Sequence, residues 1–558
     1  MIKKVGLAVV IPLLIIGVYF LPQQGEHESS SDAPSDSAPE NSQQTEKPDG
    51  ERTQATINNI FSRAANGKIP NHSFTAGKTK IKSVTKKWGN YQETVQTNNG
   101  QYVQFPDNNV HFGIQHGTVF DIRLLDSRLS NIHYKKIKEL KGEPDETHVY
   151  TDKTHDQIIL VYDVNDDYRL KWVVPKPTDA RPNPAVDHIS VVMSPAYQLE
   201  KQVNTMTLDE KIGQMIFAGV SGTTVTEQTK KLIKEYKVGG FILYANNMKS
   251  PGQTVDFVNN IKQINKQHAL PLLLGVDQEG GPVSRLPGEL TGIPPNSKIG
   301  ARNNPEYARE IGTLLGKMVK EYGFNLNFAP VMDVNSNPDN PVIGNRAFSS
   351  NPETVSRLGI QTMKGIQSQN VISVIKHFPG HGDTSVDSHL QLPTVNKDKA
   401  GLNKLELIPF KNAIQHGADV VMVAHILLPK IDKEYPSSMS KPVITGMLRK
   451  DFQYDGVIIS DDMTMQAITN NYEIGQAAVK SVKAGTDIIM VAHDYDKVTT
   501  AVQGLTKAVH SGEISEERID RSVKRIIRLK EKYHLSDAKT NPVNVQRLNN
   551  SIQNVLKE

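Results

Sequence analysis

The sequence predicts an α/β protein whose main part is a (β/α)8 barrel of the TIM type, preceded by a smaller α+β domain and an N-terminal membrane segment. Three observations carry this reading. Beyond Thr205, short apolar runs alternate with amphipathic stretches of helical period. Between about Gln54 and Tyr197 the pattern is instead one of alternating strands with a weak internal repeat. The chain opens with an apolar run that contains no charge.

That run extends from Val5 to Leu21 and follows Lys3 and Lys4. A stretch of about 17–25 apolar residues is long enough to cross a bilayer, and the lysines place its N-terminus in the cytoplasm. No small-x-small cleavage pattern follows Phe20-Leu21-Pro22. Residues 1–22 therefore read as an uncleaved signal-anchor rather than a cleaved secretory signal. Both readings export the remainder, so the expected location is the outer face of the cell membrane, or the medium after cleavage. Residues 23–53 are rich in Ser, Pro, Glu, Asp and Gln and poor in large apolar side chains. Such a segment cannot bury enough surface to offset ordering entropy, so a disordered acidic tether is expected.

Residues 54–197 read as one α+β domain of two similar halves. Val84-Thr85-Lys86-Lys87-Trp88-Gly89, followed by Thr94, aligns with Ile137-Lys138-Glu139-Leu140-Lys141-Gly142, followed by Thr147. Each copy predicts a short helix, a glycine stop and alternating strands such as 109–114 or 157–162. The domain resembles an uncharacterised domain of secreted proteins from Gram-positive bacteria. No constellation in it suggests catalysis, so binding or spacing is expected, with its partner left open.

Length and composition narrow the function classes. The 558 residues leave room for more than one domain. A net charge of +4 gives no argument for a nucleic-acid partner. With no cysteine, disulfides, thiolate metal sites, a cysteine nucleophile and lipid attachment through an N-terminal cysteine are all excluded.

Prolines 175, 177, 182, 184 and 195 punctuate the passage into the last part, around an expected strand at 189–193. In residues 205–540 the apolar runs are 212–219, 240–244, 270–276, 326–334, 371–375, 420–424, 457–459 and 488–491. Helical stretches such as 255–267, 305–322, 354–369 and 405–416 lie between them. An open doubly wound sheet would also give this alternation. The polar residues decide for the barrel. Asp277 follows the third run, Asp333 ends the fourth, and Lys376 and His377 the fifth. His425, Asp461 and His493 follow the sixth, seventh and eighth. In a barrel these C-terminal strand ends converge on the face where active sites are built.

The most informative segment is Lys376-His377-Phe378-Pro379-Gly380-His381-Gly382-Asp383-Thr384, followed by Asp387-Ser388-His389. It gathers a cation, three histidines and carboxylates on a Gly/Pro-punctuated loop. Next comes Ile458-Ile459-Ser460-Asp461-Asp462-Met463, which holds a carboxylate rigidly at a strand end. Period-2 alternation turns Asp462 away from Asp461, as a helix cap. His389 can serve as a general acid near neutral pH, with Asp387 orienting its ring. Histidines 377, 381 and 389 with Asp383 and Asp387 are zinc ligands by type. The loop lacks the fixed helical spacing of a metalloenzyme motif, so no metal and no cofactor are expected.

These motifs resemble glycoside hydrolase family 3, specifically its β-N-acetylglucosaminidase branch, over roughly Thr205 to Tyr533. The resemblance implies that Asp461 is the nucleophile and Asp387/His389 the acid/base dyad. It also implies that Asp277 and Arg285 (in Asp277-Gln278-Glu279-Gly280-Gly281-Pro282-Val283-Ser284-Arg285), Arg346, Lys376 and His377 bind the non-reducing sugar. Pro282 departs from the family, which often has a basic residue there. The implied activity is that of a retaining exo-β-N-acetylhexosaminidase acting on a peptidoglycan-derived amino sugar. Two rivals stay open: an enzyme that cleaves another β-glycoside or transfers the sugar of a β-N-acetylglucosaminide to phosphate, and a surface-anchored glycan-binding module without activity.

Overall fold

The computed structural model describes residues 49–557 apart from Glu93, Asn98, Asn99, His116 and His389. The expected membrane segment at residues 1–22, and the tether as far as residue 48, lie outside the described residues. Among the described residues no helix is long and apolar enough to cross a membrane. The chain divides into two compact units, one ending at Asn204 and one beginning at Thr205.

The first unit opens with helix α1 (Asp49–Ala64), which starts inside the stretch read as tether. Its first turns carry no large apolar residue, and the apolar positions that bury, Ile57, Ile60 and Ala64, begin later. Eight antiparallel strands follow: β1 (Thr94–Thr97), β2 (Gly100–Phe105), β3 (Val110–Gln115), β4 (Thr118–Leu124), β5 (Glu146–Thr151), β6 (Asp156–Asp163), β7 (Tyr168–Pro175) and β8 (His188–Met193). They form one sheet in the order β1-β2-β3-β4-β8-β7-β6-β5. Two four-strand halves thus meet where β4 pairs with β8.

The sequence repeat is a structural one. Helix α2 (Ile81–Trp88) stops at Gly89 (φ 84°, ψ −168°), and helix α3 (Tyr134–Lys141) stops at Gly142 (φ 79°, ψ −169°). Only glycine adopts that backbone without steric cost, so each copy of the motif ends its helix in the same way. Val84 of α2 and Ile137 of α3 bury in one apolar cluster with Ile57, Ile60, Phe112 and Trp172.

The second unit carries eight parallel strands: β9 (Ile216–Gly219), β10 (Gly240–Ile242), β11 (Leu273–Val276), β14 (Leu326–Asn327), β15 (Ile372–Phe378), β16 (Val420–Val423), β17 (Val457–Ser460) and β18 (Ile489–Val491). A two-stranded hairpin, β12 (Gln278–Gly280) and β13 (Val283–Ser284), follows β11. The large sheet runs β17-β16-β15-β14-β11-β10-β9-β18. A parallel bridge between Ile459 and Ile488 joins its two ends, so the sheet comes round into a nearly closed barrel. The strands are almost wholly buried, as expected of a parallel sheet covered by helices.

Two apolar runs behave differently from the sequence reading. Run 212–219 begins inside a helix (Leu208–Gln214), started by a capping box between Thr207 and Glu210, and the strand occupies only its end. In run 326–334 only Leu326 and Asn327 are strand. Pro330 has no N–H to give the ladder, and the chain rejoins it through a bridge from Val331 to Lys376.

At the opposite end of the barrel, Asp487 is fully buried before β18. It accepts hydrogen bonds from Arg449, from Ser522 Oγ (2.7 Å) and from the Ile458 N–H (3.0 Å). Asp487→Ala strands a buried guanidinium and should cost about 3–5 kcal/mol in denaturant unfolding. The activity of the fraction that folds should be unchanged, because Asp487 does not line the cavity described next.

Candidate active site

A cavity of about 350 Å3 opens at the C-terminal ends of the barrel strands. Asp277, Arg285, Arg346, Lys376, His377 and Asp461 all line it, together with Glu279, His381 and Ser388. Six of the eight residues singled out from the sequence thus come together. Asp387 is half-buried and is not among the lining residues, although Ser388 beside it is. His389 lies outside the described residues.

Lys376 and His377 are neighbours within β15, where strict alternation would send them to opposite faces. The register of β15 against β16 shifts between Ile375 and Phe378, and this irregularity lets both side chains line the cavity. The peptide bonds Ala329–Pro330, Lys376–His377 and Phe378–Pro379 are cis.

The Lys376 ammonium lies 2.6 Å from Asp277 Oδ1 and 2.7 Å from Glu279 Oε1. Glu279 also takes a bidentate pair from Arg346, Nε to Oε2 at 2.9 Å and Nη2 to Oε1 at 2.7 Å. Burial alone would raise the Glu279 carboxyl, but Lys376 and Arg346 outweigh it and hold the group well below the carboxylate range. Burial likewise works against the Lys376 charge, yet Asp277 and Glu279 raise its pKa above the ordinary value. The four groups enter the pocket as a fixed set of charges.

Asp333 is fully buried and does not face the cavity. It accepts from the His377 backbone N–H (3.3 Å), from His377 Nδ1 (2.8 Å) and from the His381 backbone N–H (2.7 Å). The contact through Nδ1 fixes the His377 ring on Asp333 and turns Nε2 away from that carboxylate. His381 bonds Thr384 Oγ1 through Nδ1 (2.8 Å) and Ser388 Oγ through Nε2 (3.0 Å). Burial and the neighbouring His377 lower the His381 pKa to about 4, so it holds Ser388 as a neutral ring at ordinary pH. That contact fixes the residue between Asp387 and His389 against the cavity wall. Asp383, on the same loop, pairs with Lys397 at 3.0 Å.

Asp461 follows β17 and is half-buried; its Oδ1 accepts from the Asp462 N–H at 2.8 Å. Asp462 is not the cap of the next helix, whose N-cap is Met465. Its carboxylate binds Thr464 N (2.9 Å), Thr464 Oγ1 (2.6 Å) and Ala492 N (2.9 Å), tying the turn after β17 to the end of β18. Both aspartates line the cavity, but Asp462 is committed to the backbone.

Glu279 was not singled out from the sequence. The signal was present: two residues beyond Asp277 in an extended segment, it falls on the same side of the chain. A carboxylate there needs cations, and Lys376 and Arg346 supply them.

A nearly closed parallel barrel with a charged pocket at the C-terminal ends of its strands is the architecture on which barrel enzymes build their active sites. The chain belongs to glycosyl hydrolase family 3, whose N-terminal domain matches residues 207–529. Residues 57–192 match a domain of unknown function, DUF4309. Among curated relatives, Beta-hexosaminidase A of Pseudoalteromonas piscicida is 35% identical over 340 residues, covering 57% of this chain and 57% of that one. Beta-hexosaminidase of Nitrosomonas eutropha is 34% identical over 324 residues, covering 56% of this chain and 91% of its own. Among solved structures, a family 3 β-N-acetylglucosaminidase from Paenibacillus sp. str. FPU-7 is 40% identical with a TM-score of 0.60, covering 63% of this chain and 68% of that one. The β-N-acetylhexosaminidase of Beutenbergia cavernae is 27% identical with a TM-score of 0.56, covering 58% and 99% respectively.

Glu279→Gln removes the charge that orients Lys376 and Arg346 while keeping the shape. It should lower kcat/KM about 10- to 100-fold, the worth of one charge-assisted hydrogen bond in binding. Steady-state kinetics on an aryl N-acetyl-β-glucosaminide, beside a thermal melt of the same variant, check it.

Proposed function

We infer that the protein is a retaining exo-β-N-acetylglucosaminidase. The observation that carries this reading is the pocket itself, in which Asp461 shares one small cavity with Asp277, Arg346, Lys376 and His377. Its volume is at the small end for ligand sites, about 300–1,000 Å3, which suits one terminal sugar unit. The names of the β-hexosaminidase relatives and the Paenibacillus structure support an N-acetylated amino sugar as that unit.

In this reading the Asp461 carboxylate attacks the anomeric carbon and forms a covalent glycosyl-enzyme. His389, oriented by Asp387, protonates the leaving oxygen, then takes a proton from the water that releases the sugar. Asp277 accepts from sugar hydroxyls, while Lys376, Arg346, Arg285 and His377 fix the ring over Asp461. A cationic acid beside an anionic nucleophile suits an oxocarbenium-like transition state.

The substrate we favour is a peptidoglycan fragment ending in N-acetylglucosamine. Support comes from the family and from the apolar run 5–21, which would carry the enzyme out of the cytoplasm and hold it at the membrane. The second reading, transfer to phosphate, follows from the proposed histidine acid/base, which would not repel an incoming anion as a carboxylate does.

Asp461→Asn should abolish turnover of 4-nitrophenyl N-acetyl-β-glucosaminide with the fold intact. His389→Ala should slow substrates with poor leaving groups far more than activated phenols, which need little protonation. Equal losses for both leaving-group classes would remove His389 from the acid/base role. Turnover accelerated by inorganic phosphate would change the reaction type.

A further inference from the structure

Tyr244 lies just beyond β10, at the second strand end. Its backbone is held from below: the Tyr244 N–H donates to Asn247 Oδ1 (2.9 Å), and the buried Asn247 amide donates to the carbonyls of Val220 (3.0 Å) and Gly222 (2.8 Å). Its ring is held from the side. The His493 imidazole stacks on it with centroids 4.9 Å apart and planes 21° from parallel. His493 in turn reaches towards Asp462, Nε2 to Oδ2 at 3.7 Å. Both rings line the cavity.

The hydroxyl faces an unusual set of neighbours. Burial first, then the Asp462, Asp277 and Asp461 carboxylates, raise the phenol well above its ordinary value, with Arg285 acting in the opposite direction. It therefore stays protonated and remains able to donate. Among the described residues the Tyr244 hydroxyl donates its proton to no protein acceptor.

Donors and acceptors in the pocket explain what such a phenol is for. The carboxylates Asp277 and Asp461 can only accept, and so take protons from sugar hydroxyls. An acetamido carbonyl, a ring oxygen or a glycosidic oxygen has only lone pairs and needs a donor. Lys376 and Arg346 direct donors to Glu279 and Asp277. An uncommitted O–H on a rigidly held ring completes the set.

We propose that Tyr244 contacts the substrate, its phenol donating a hydrogen bond to a lone-pair-only oxygen of the sugar seated at Asp461, with His493 as the positioning residue that fixes the ring plane. This rests on the reading of the pocket as an amino-sugar site.

The test uses the full chain, with 4-nitrophenyl N-acetyl-β-glucosaminide turnover and calorimetric binding of N-acetylglucosamine. Tyr244→Phe keeps the ring and the stack but removes the donor. It should lower kcat/KM about 3- to 10-fold and weaken N-acetylglucosamine binding by a comparable factor, the worth of one uncharged hydrogen bond. The melting temperature should not change. His493→Ala should give a smaller loss in the same two quantities. The double variant should lose no more than Tyr244→Phe alone, since His493 acts through Tyr244. An active wild type with both quantities unchanged in Tyr244→Phe overturns the proposal. So does a fall in kcat with binding unchanged, which would place the phenol on the Asp461 carboxylate instead. A wild type that neither turns over the aryl substrate nor binds N-acetylglucosamine overturns the amino-sugar reading, and this proposal with it.

Discussion

A carboxylate sealed from water cannot stand alone, and Glu279 is such a carboxylate, its side chain only 2% exposed. Its charge survives because Lys376 and Arg346 are brought against it from β15 and from the loop that follows β14. Lys376 in turn is held by Asp277 at the end of β11. Three separated stretches of sequence must therefore meet at one point for any of these charges to be tolerated. The parallel barrel supplies that meeting point, and the cluster fixes how the strand ends are set around it. Removing one member leaves the others uncompensated, which is more costly than never having built the cluster. A ligand entering the pocket meets dipoles and charges already in place, with little reorganisation left to do.

Much of this was legible in the sequence because barrel strands announce themselves as short apolar runs with polar residues just past their ends. That signal marks Asp277, Lys376, His377, Asp461 and His493, which share one cavity, but it marks Asp333 and His425 equally, which are buried away from it. What alternation could not give is the inward turn of both Lys376 and His377. A register shift does that, and a slip between neighbouring strands leaves no mark on either strand's own pattern. Arg346 and Arg285 sit on loops where periodicity says nothing, and only the family motif pointed to them. Glu279 and Tyr244 were passed over for different reasons. The first was overshadowed by Asp277 two residues earlier. The second ends its apolar run as a residue that packing alone would explain.

The first unit was readable for a simpler reason. Each of its halves ends a helix on a glycine in a backbone that other residues avoid, so the repeat survives in sequence at Gly89 and Gly142 even where side chains have diverged. The order in which the eight strands lie side by side was not readable. That β4 and β8 pair at the centre depends on contacts between strands some seventy residues apart, as in Asp121 with Val192, and local pattern carries no information at that range.

The loop after the β12–β13 hairpin, which leads away from Arg285, is tied down by a residue far along the chain. Asn549 donates to the Glu289 carbonyl (2.7 Å) and accepts from the Thr291 N–H (2.7 Å), 260 and 258 positions away. A ribosome adding about 5–20 residues per second would need roughly 13–52 s to make the intervening chain. During that interval the barrel strands can begin to pair while the loop beside the pocket still waits for its fastening. Translation thus sets an order of assembly, in which the loop leading away from Arg285 is secured among the last parts of the barrel domain.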